Sequence, residues 1–294
     1  MPWYTKKKNE FKLHHKDIKI YNSLDAGGCA KVCFGTWKNT QVAIKKLKSD
    51  KEYKQEFMNK LERDRKKKAD IAILKNERDM MAKINLLPAS DQHFVKFYGY
   101  TGNKIPKALV IEYIKGGNLL NYLYCQTNFD LGNLYHISLN IAYALKFLHQ
   151  NNFIHGDIKL ENIMVDFPQV KLIDFGFTCT NANSSSAALL GTLVYTAPEL
   201  VVGFPFKYTP KTDMYAYSMV TYMMYARKPP YPTVEPEKIF YKLQNNIRPI
   251  IPDTVPNEIV NLITATWMQN PILRYSATQT THELEGIIKN RNLV

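Results

Sequence analysis

The stretch Ile-His-Gly-Asp-Ile-Lys-Leu-Glu-Asn-Ile-Met-Val, residues 154–165, constrains this chain of 294 residues more than any other segment. A carboxylate, an amine and an amide stand at Asp157, Lys159 and Asn162 between apolar residues. This pattern predicts a short loop anchored by its apolar flanks, with the polar side chains facing a cleft. A second carboxylate follows in Asp-Phe-Gly, residues 174–176, after a largely apolar run. Two carboxylates and an amide in this order suit the binding of a divalent cation beside a reacting hydroxyl.

A lysine closes an apolar strand pattern in the N-terminal part of the chain. In Val-Ala-Ile-Lys, residues 42–45, the ammonium of Lys45 can reach the phosphates of a nucleotide, whereas Lys46 falls on the other face by strand alternation. The small-residue turn at 24–32 precedes this strand. Such a turn lets backbone N–H groups approach phosphate oxygens closely, although an ordinary Gly-Gly hairpin fits it as well.

Helical spacing follows between Ile71 and Ile84, with Leu74, Glu77 and Met81 near one face. The segment before it is dense in charge, and residues 63–68 are nearly all basic. A charge run of this kind indicates a solvated helix face or an insertion. The more specific alternative is a docking patch for an acidic partner or an anionic surface.

The formal charge of +13 also favours acidic partners, and six lysines in residues 1–20 contribute to it. Charge alone selects no partner class, so a nucleic-acid-binding protein is the weakest hypothesis. The four cysteines lack paired metal spacing, the N-terminus lacks an apolar leader, and the apolar run 214–226 is too short to span a bilayer. These features predict a reduced, soluble, cytoplasmic protein without a transmembrane segment.

Taken together, these motifs resemble the eukaryotic-type protein kinase family over residues 17–288. The family motifs occur in order: the strand lysine, the helix glutamate, the loop at 157–162, Asp-Phe-Gly, Ala-Pro-Glu at 197–199, Asp213 and Arg274. The resemblance implies an α+β, bilobal kinase fold with a small β-rich N-lobe at 17–112 and a large, mainly α-helical C-lobe at 113–288. A loose basic arm at 1–16 and a tail at 289–294 flank this domain.

The resemblance also implies a role for each polar residue. Lys45, paired with Glu77, orients the phosphates that are not transferred, and Glu62 is the second candidate for that partner. Asp157 acts as the base toward the substrate hydroxyl, and Lys159 steadies the transferring phosphoryl group. Asn162 and Asp174 bind Mg²⁺, with Mn²⁺ as an alternative, Asp213 caps the loop backbone, and Glu199 pairs with Arg274.

ATP is the implied nucleotide. Ile111 stands behind the adenine pocket, and Glu112 and Ile114 offer backbone groups to the base. The full implied set of ATP-binding residues is Leu24, Gly27, Gly28, Val32, Ala43, Lys45, Ile111, Glu112, Ile114 and Met164. Lys159 and Thr192 resemble Ser/Thr kinases acting on a protein substrate, and the segments 116–119 and 213–218 resemble the tyrosine-kinase-like group of that class.

Two departures from the family pattern bear on activity. Asp25 and Ala30 replace glycines of the nucleotide loop, which predicts weaker nucleotide affinity. Gly156 replaces the arginine that receives an activation-loop phosphate, which predicts little dependence on loop phosphorylation. Alanine at Thr178, at Thr180 and at residues 184–186 should then leave activity near normal. The alternative function is a pseudokinase-like, nucleotide-binding interaction module with weak or no phosphotransfer.

Overall fold

The computed structural model of the chain describes residues 9–26, 30–125, 130–180, 185–186, 193–202, 206–232 and 234–292. These residues divide into two units. The first contains the described residues up to Lys115 together with Asp174–Phe177, and the second contains the remainder from Gly116 onward. The division falls three residues after the boundary predicted from the sequence, and the Asp-Phe-Gly segment belongs to the first unit.

An antiparallel sheet of five strands forms the frame of the first unit. The strands are β1 (Ile18–Ala26), β2 (Lys31–Trp37), β3 (Thr40–Lys46), β4 (Phe97–Gly102) and β5 (Pro106–Glu112), in the spatial order β1-β2-β3-β5-β4. Lys38 and Asn39 connect β2 to β3 with φ angles of +45° and +66°. Positive φ at both central residues matches the right-handed twist of paired strands, so this tight turn sets the register of β3.

Two helices lie between β3 and β4, namely α1 (Asp50–Glu56) and α2 (Lys60–Ile84). The sequence predicted α2 only from Ile71, but the helix starts at Lys60, where the side chain of Asn59 accepts a hydrogen bond from Leu61 N at 2.8 Å. None of its first ten residues is buried. The basic run 63–68 is therefore part of a solvated helix face, one of the alternatives that the charge pattern allowed.

Residues 9–16 lie along the edge strand β4 and are not a loose arm. Leu13 N donates to Tyr100 O at 2.8 Å, and the rings of Phe11 and Phe97 have centroids 5.3 Å apart. A Cβ on Gly99 would lie 2.2 Å from Phe11 O, so this close approach requires glycine. Residues 9–16 thus pack against the edge of the sheet at β4.

The second unit is mainly helical. Its helices are α3 (Leu119–Cys125), α4 (Leu131–Gln150), α5 (Pro198–Val202), α6 (Pro210–Ala226), α7 (Pro236–Gln244), α8 (Asn257–Thr266) and α9 (Ala277–Asn290). Its short strands form three antiparallel pairs: β6 (Phe153–Ile154) with β9 (Cys179–Thr180), β7 (Ile163–Asp166) with β8 (Gln169–Leu172), and β10 (Ser185–Ser186) with β11 (Phe206–Lys207). A β-rich unit followed by a helical one confirms the predicted α+β architecture.

Helices α4 and α6 form the centre of the second unit. The apolar positions that predicted α4 are all buried: Leu134, Ile137, Ile141, Leu145 and Leu148. Helix α6 is buried along nearly its whole length, as the apolar run 214–226 predicted. Across the described ranges, no helix combines the length and apolar character needed to cross a membrane. These two helices support the loop that contains Asp157.

Candidate active site

Lys45 is the centre of an ionic cluster in the first unit. Its Nζ lies 2.9 Å from Glu77 Oε1, 2.8 Å from Glu77 Oε2 and 3.0 Å from Asp174 Oδ1. The strand lysine therefore pairs with Glu77. Glu62, the second candidate, is exposed and stands fifteen residues earlier on α2.

Burial and charge oppose each other in this cluster. Burial lowers the pKa of Lys45, but the carboxylates of Asp174 and Glu77 outweigh it and leave that pKa raised. Burial raises the pKa of Glu77 to about 7, with Lys45 opposing the rise and Asp174 adding to it. The neighbouring carboxylates thus favour the ammonium of Lys45, while burial disfavours the carboxylate form of Glu77.

The Asp-Phe-Gly segment is held in a strained conformation by contacts with α2. Asp174 has a φ of +66°, which is uncommon for a residue with a side chain. Gly176 O accepts a hydrogen bond from Asn76 Nδ2 of α2 at 2.9 Å. A Cβ on Gly176 would lie 2.6 Å from Ile73 Cγ2, so only glycine fits against the helix. Strain of this kind persists where the surroundings fix the backbone, and it is common at functional sites.

Asp157, Lys159 and Asn162 form a second cluster, on the loop after β6 in the second unit. Asp157 Oδ2 accepts from Lys159 Nζ at 2.7 Å and from Asn162 Nδ2 at 2.8 Å. Asn162 Nδ2 also donates to Asp157 O at 2.8 Å. Asp157 is only 7% exposed and Asn162 5%. The three polar side chains predicted from their spacing therefore meet in one hydrogen-bonded group.

The backbone before Asp157 is fixed by Asp213 of α6. Asp213 Oδ2 accepts from His155 N and Oδ1 accepts from Gly156 N, both at 2.9 Å. The predicted cap of the loop is thus formed. His149 Nε2 also lies 2.9 Å from Asp213 Oδ2, a contact that sequence reasoning missed because no motif marks this histidine.

His155 and Thr178 give the loop further support. The amide of Asp157 donates to His155 Nδ1 at 3.3 Å, so the ring proton is on Nε2, which lies 3.1 Å from Ile173 O. Thr178 Oγ1 donates to His155 O at 3.1 Å, and Thr178 is 1% exposed. Thr178 is therefore a buried residue whose hydroxyl supports the loop.

Six residues of the predicted nucleotide pocket lie on strands of the first unit, namely Leu24, Val32, Ala43, Lys45, Ile111 and Glu112. Ala43 on β3 is the register partner of Ile111 on β5, and Val32 on β2 is the partner of Lys45. Leu24 on β1 is 46% exposed. The sheet register therefore brings Ala43 and Ile111 together next to the strand position of Lys45.

Glu112, Ile114 and Met164 of the predicted pocket differ from one another in hydrogen bonding, burial and unit. The amide of Glu112 donates to Lys96 O at 2.9 Å and is therefore engaged within the sheet. Ile114 is 7% exposed, and Met164 lies on β7 of the second unit opposite Lys171. Gly27 and Gly28 fall outside the described residues.

Asp174 in the first unit and Asn162 in the second each carry side-chain oxygens, the donor type that Mg²⁺ prefers. Both hydrogens of Asn162 Nδ2 are donated to Asp157, so Oδ1 is the atom that can face a cation. In the part of the chain that the structure describes, no group of three or more His, Cys, Asp or Glu side chains could hold a metal ion. Mg²⁺ needs only one or two protein carboxylates when substrate phosphates complete its coordination.

An ion pair joins Glu199, at the end of Ala-Pro-Glu, to the buried Arg274. Arg274 Nη1 lies 2.8 Å from Glu199 Oε1, and Nη2 lies 3.1 Å from Oε2. Arg274 is 1% exposed and also donates to Met268 O at 2.8 Å from Nη2. The predicted pair of Glu199 and Arg274 is therefore present, with two contacts between the side chains, and it anchors the start of α5.

The sequence model of the protein kinase domain matches residues 18–284 of this chain. The chain is 28% identical to the probable serine/threonine-protein kinase drkC of Dictyostelium discoideum over 280 residues, which is 92% of this chain and 35% of drkC. It is 26% identical to the serine/threonine-protein kinase STY46 of Arabidopsis thaliana, over 95% of this chain and 46% of STY46. It is also 26% identical to the dual specificity protein kinase pyk3 of Dictyostelium discoideum, over 96% of this chain and 19% of pyk3. The chain thus spans less than half the length of these curated relatives.

Proposed function

Because the chain belongs to the protein kinase family, we propose that it is an ATP-dependent protein serine/threonine kinase. It transfers the γ-phosphate of ATP to a hydroxyl of a protein substrate. The observation that carries this proposal is the buried carboxylate of Asp157, which Lys159 and Asn162 hold by hydrogen bonds of 2.7 and 2.8 Å. An interaction module would not need this arrangement.

In this proposal Asp157 and Lys159 act on the reacting groups. Asp157 accepts a hydrogen bond from the substrate hydroxyl, orients it for in-line attack and receives its proton. Lys159 places its ammonium by the transferring phosphoryl group. Phosphoryl transfer demands little covalent chemistry from a protein, so positioning and charge neutralisation are the main contributions.

Lys45, Glu77, Asp174 and Asn162 serve the phosphates and the metal. Lys45 orients the phosphates that remain on the nucleotide, and Glu77 holds its ammonium in place. Asp174 and Asn162 are the proposed ligands of Mg²⁺, with Mn²⁺ as an alternative. The bound ion would neutralise the charge that develops on the phosphate oxygens.

The adenine base is proposed to contact the apolar side chains of Leu24, Val32, Ala43 and Met164, with Ile111 behind it. Since the amide of Glu112 is engaged with Lys96 O, the carbonyl of Glu112 and the amide of Ile114 are the groups proposed to face the base. Gly27 and Gly28 are proposed to approach the phosphates.

Serine and threonine are the proposed acceptor residues. Lys159 stands two positions after Asp157, as in Ser/Thr kinases, and drkC and STY46 are named serine/threonine-protein kinases. Because pyk3 is named a dual specificity protein kinase, phosphorylation of tyrosine as well as serine and threonine is the alternative to test. Phosphoamino-acid analysis of the product distinguishes these cases.

Little dependence on loop phosphorylation is part of the proposal. Gly156 has no side chain to bind a phosphate, and its φ of +79° is a conformation that glycine adopts without strain. Direct bonds from Asp213 to the amides of His155 and Gly156 support the loop. These two bonds from backbone amides to a buried carboxylate support the proposed independence from loop phosphorylation.

A nucleotide-binding interaction module without phosphotransfer is the second candidate. Asp25 and Ala30 favour it, because both replace glycines of the nucleotide loop. Ala30 is 5% exposed, so its methyl group occupies space within the fold. Both candidates bind nucleotide, and only the first uses Asp157 as a base.

The proposal also includes a binding partner and a cellular location. The N-terminal lysines, with the exposed Arg65 and Lys68, are proposed to contact an acidic partner or an anionic surface. Lys66 and Lys67 contribute less, because they pair with Asp70 and Asp50 at 2.5 Å. The reduced cysteines predicted from their spacing make the cytoplasm the proposed location.

Radiolabelled ATP and a generic basic protein substrate test the two candidates. The Asp157→Asn variant keeps the side-chain shape but removes the base, so transfer should fall by about 10²- to 10⁴-fold. Asp253→Asn, at an exposed position, is the matched control and should match the wild type. Transfer by the wild type that survives in Asp157→Asn would refute the role of Asp157. Absence of transfer by all three proteins, with nucleotide still bound, would support the module.

A further inference from the structure

The segment between β3 and Glu77 is long, and none of its residues is proposed to act on the nucleotide, the metal or the reacting groups. β3 ends at Lys46, and the chain then forms α1 and the solvated first ten residues of α2 before the buried part of α2 begins. This segment connects the strand that contains Lys45 to the helix that contains Glu77. Its conformation therefore bears on how these two elements are placed.

Helix α1 is attached to the fold by Tyr53. The helix has only seven residues, and helices of this length are not stable by themselves in water. Tyr53 is its buried residue, with 0% exposure, and Tyr53 Oη donates to Asp70 Oδ2 at 2.8 Å. The position of α1 therefore depends on this contact with α2.

Asp70 begins the buried face of α2 on which Glu77 also lies. The buried residues of α2 are Asp70, Leu74, Glu77, Arg78, Met81, Ala82 and Ile84. Seven residues make nearly two helical turns, so Asp70 and Glu77 are on one side of the helix and about 10 Å apart along its axis. Asp70 is 1% exposed, and its Oδ1 lies 2.5 Å from Lys66 Nζ. A carboxylate at this depth needs both of its partners.

Helix α1 is also tied to the sheet. Glu52 Oε1 of α1 lies 3.2 Å from Lys31 Nζ of β2. Lys67 of α2 pairs with Asp50 of α1 at 2.5 Å. Exposed pairs of this type contribute little individually, so the buried bond between Tyr53 and Asp70 is the principal link. Helix α1 thus contacts both the sheet and α2, and it lies in the segment that connects Lys45 to Glu77.

We propose that Tyr53 and Asp70 are positioning residues that hold α2 where Glu77 meets Lys45. Loss of the Tyr53 hydroxyl leaves Asp70 with an unmatched acceptor in a buried place. Movement of α2 toward solvent relieves that cost. Because the helix is rigid over two turns, the same movement separates Glu77 from Lys45. The effect on catalysis rests on the proposed kinase function, whereas the effect on the ion pair does not.

The reactivity of Lys45 measures the ion pair without any assay of activity. Glu77 and Asp174 contact the ammonium of Lys45 at 2.8 and 3.0 Å, so its amine reacts slowly with an acylating reagent such as an N-hydroxysuccinimide ester. In Tyr53→Phe the contact with Glu77 is weakened, and we expect labelling of Lys45 to be faster by about tenfold. Mass spectrometry of the nucleotide-free protein at a temperature where it is folded gives this rate.

A double-mutant comparison separates positioning from general loosening. In the Glu77→Gln background the Tyr53→Phe change should add no further increase in Lys45 labelling, because the partner that it positions is already lost. Tyr98→Phe is the matched control, since it removes a tyrosine hydroxyl from β4 and should leave the rate unchanged. An unchanged rate in Tyr53→Phe, or the same increase in both backgrounds, would overturn the proposal.

Asp70→Asn covers the case in which Tyr53→Phe does not fold. Asparagine keeps the volume and one acceptor but loses the charge that faces Lys66, so we expect a smaller increase in Lys45 labelling. An unchanged labelling rate in Asp70→Asn would overturn the proposal. In an active kinase, Tyr53→Phe should also lower kcat more than it raises the KM for the protein substrate. If the wild type shows no transfer, the proposed function fails, and the labelling rates still decide the role of Tyr53.

Discussion

Asp213 binds the backbone of Gly156 directly, with Oδ1 2.9 Å from the amide nitrogen. Its other oxygen accepts from His155 N at the same distance. One carboxylate on α6 thereby fixes two consecutive peptide units immediately before Asp157. Asp213 has 1% exposure, so water does not replace either bond. The placement of the proposed base therefore depends on a buried side chain of α6.

Asp213→Asn should lower kcat with little change in the KM for ATP. The amide offers one acceptor oxygen for two backbone donors, so one peptide unit loses its partner and Asp157 shifts. A misplacement of about 1 Å typically lowers the rate by about 10²-fold. Steady-state kinetics measure this, and Asp253→Asn, exposed in the same unit, should retain wild-type values. An unchanged kcat in a folded Asp213→Asn protein would contradict the prediction.

Gly156→Ala should destabilise the protein, because a φ of +79° strains any residue with a Cβ. The expected cost is about 1–2 kcal/mol, seen as a fall of a few degrees in Tm. Gly286→Ala is the opposite control, since a Cβ there meets nothing within 4 Å and lies in α9, so its Tm should rise slightly. Equal Tm values for the two variants would show that the backbone at Gly156 is not strained.

Local spacing made one half of the candidate site predictable. Asp157, Lys159 and Asn162 stand within six residues of one another, so any loop that faces them toward a cleft brings their polar groups together. Residues far apart in the chain are different. The pairing of Lys45 with Glu77 followed from the family resemblance and not from periodicity, because strand and helix patterns do not specify which elements meet.

The start of α2 and the role of His149 show where sequence reasoning fails. Residues 60–70 have no apolar period, because this part of the helix faces solvent, so the pattern predicted a start at Ile71. Capping by Asn59 and ion pairs such as Lys66–Asp70 support it instead. His149 meets Asp213 across 64 residues of chain, and a lone histidine at the end of an apolar helix gives no sign of its partner.

We expect the buried hydroxyl of Thr178 to contribute to the stability of the folded protein and not to serve as a phosphorylation site. Thr178→Val removes the donor to His155 O, a buried acceptor, so the free energy of unfolding should fall by about 1–3 kcal/mol. Thr178→Ser keeps the hydroxyl and should restore most of the loss. Thr180→Ala, at a half-buried position nearby, should leave transfer near normal if activity does not require loop phosphorylation. A large loss in Thr180→Ala that an acidic residue restores would contradict the proposed independence.

The pH dependence of stability should carry a contribution from Glu77. Its pKa is about 7 in the folded protein against an ordinary value of 4.5, chiefly because of burial. Below pH 4.5 the group is protonated in both states and its stabilising contribution is complete. As the pH rises from 4.5 toward about 7, the unfolded state releases the proton of Glu77 before the folded state does. The contribution of Glu77 to the free energy of unfolding is therefore lost over this range.

Glu77→Gln removes this titration, so the variant should lose less stability than the wild type between about pH 5 and 7.5. Thermal unfolding at the two pH values measures the difference, and groups that both proteins share cancel from it. Glu62→Gln is the matched control on the same helix, where the side chain is exposed, and it should follow the wild type. If Glu77→Gln instead shows the same pH dependence as the wild type, Glu77 is already ionised throughout this range, and its pairing with Lys45 outweighs its burial.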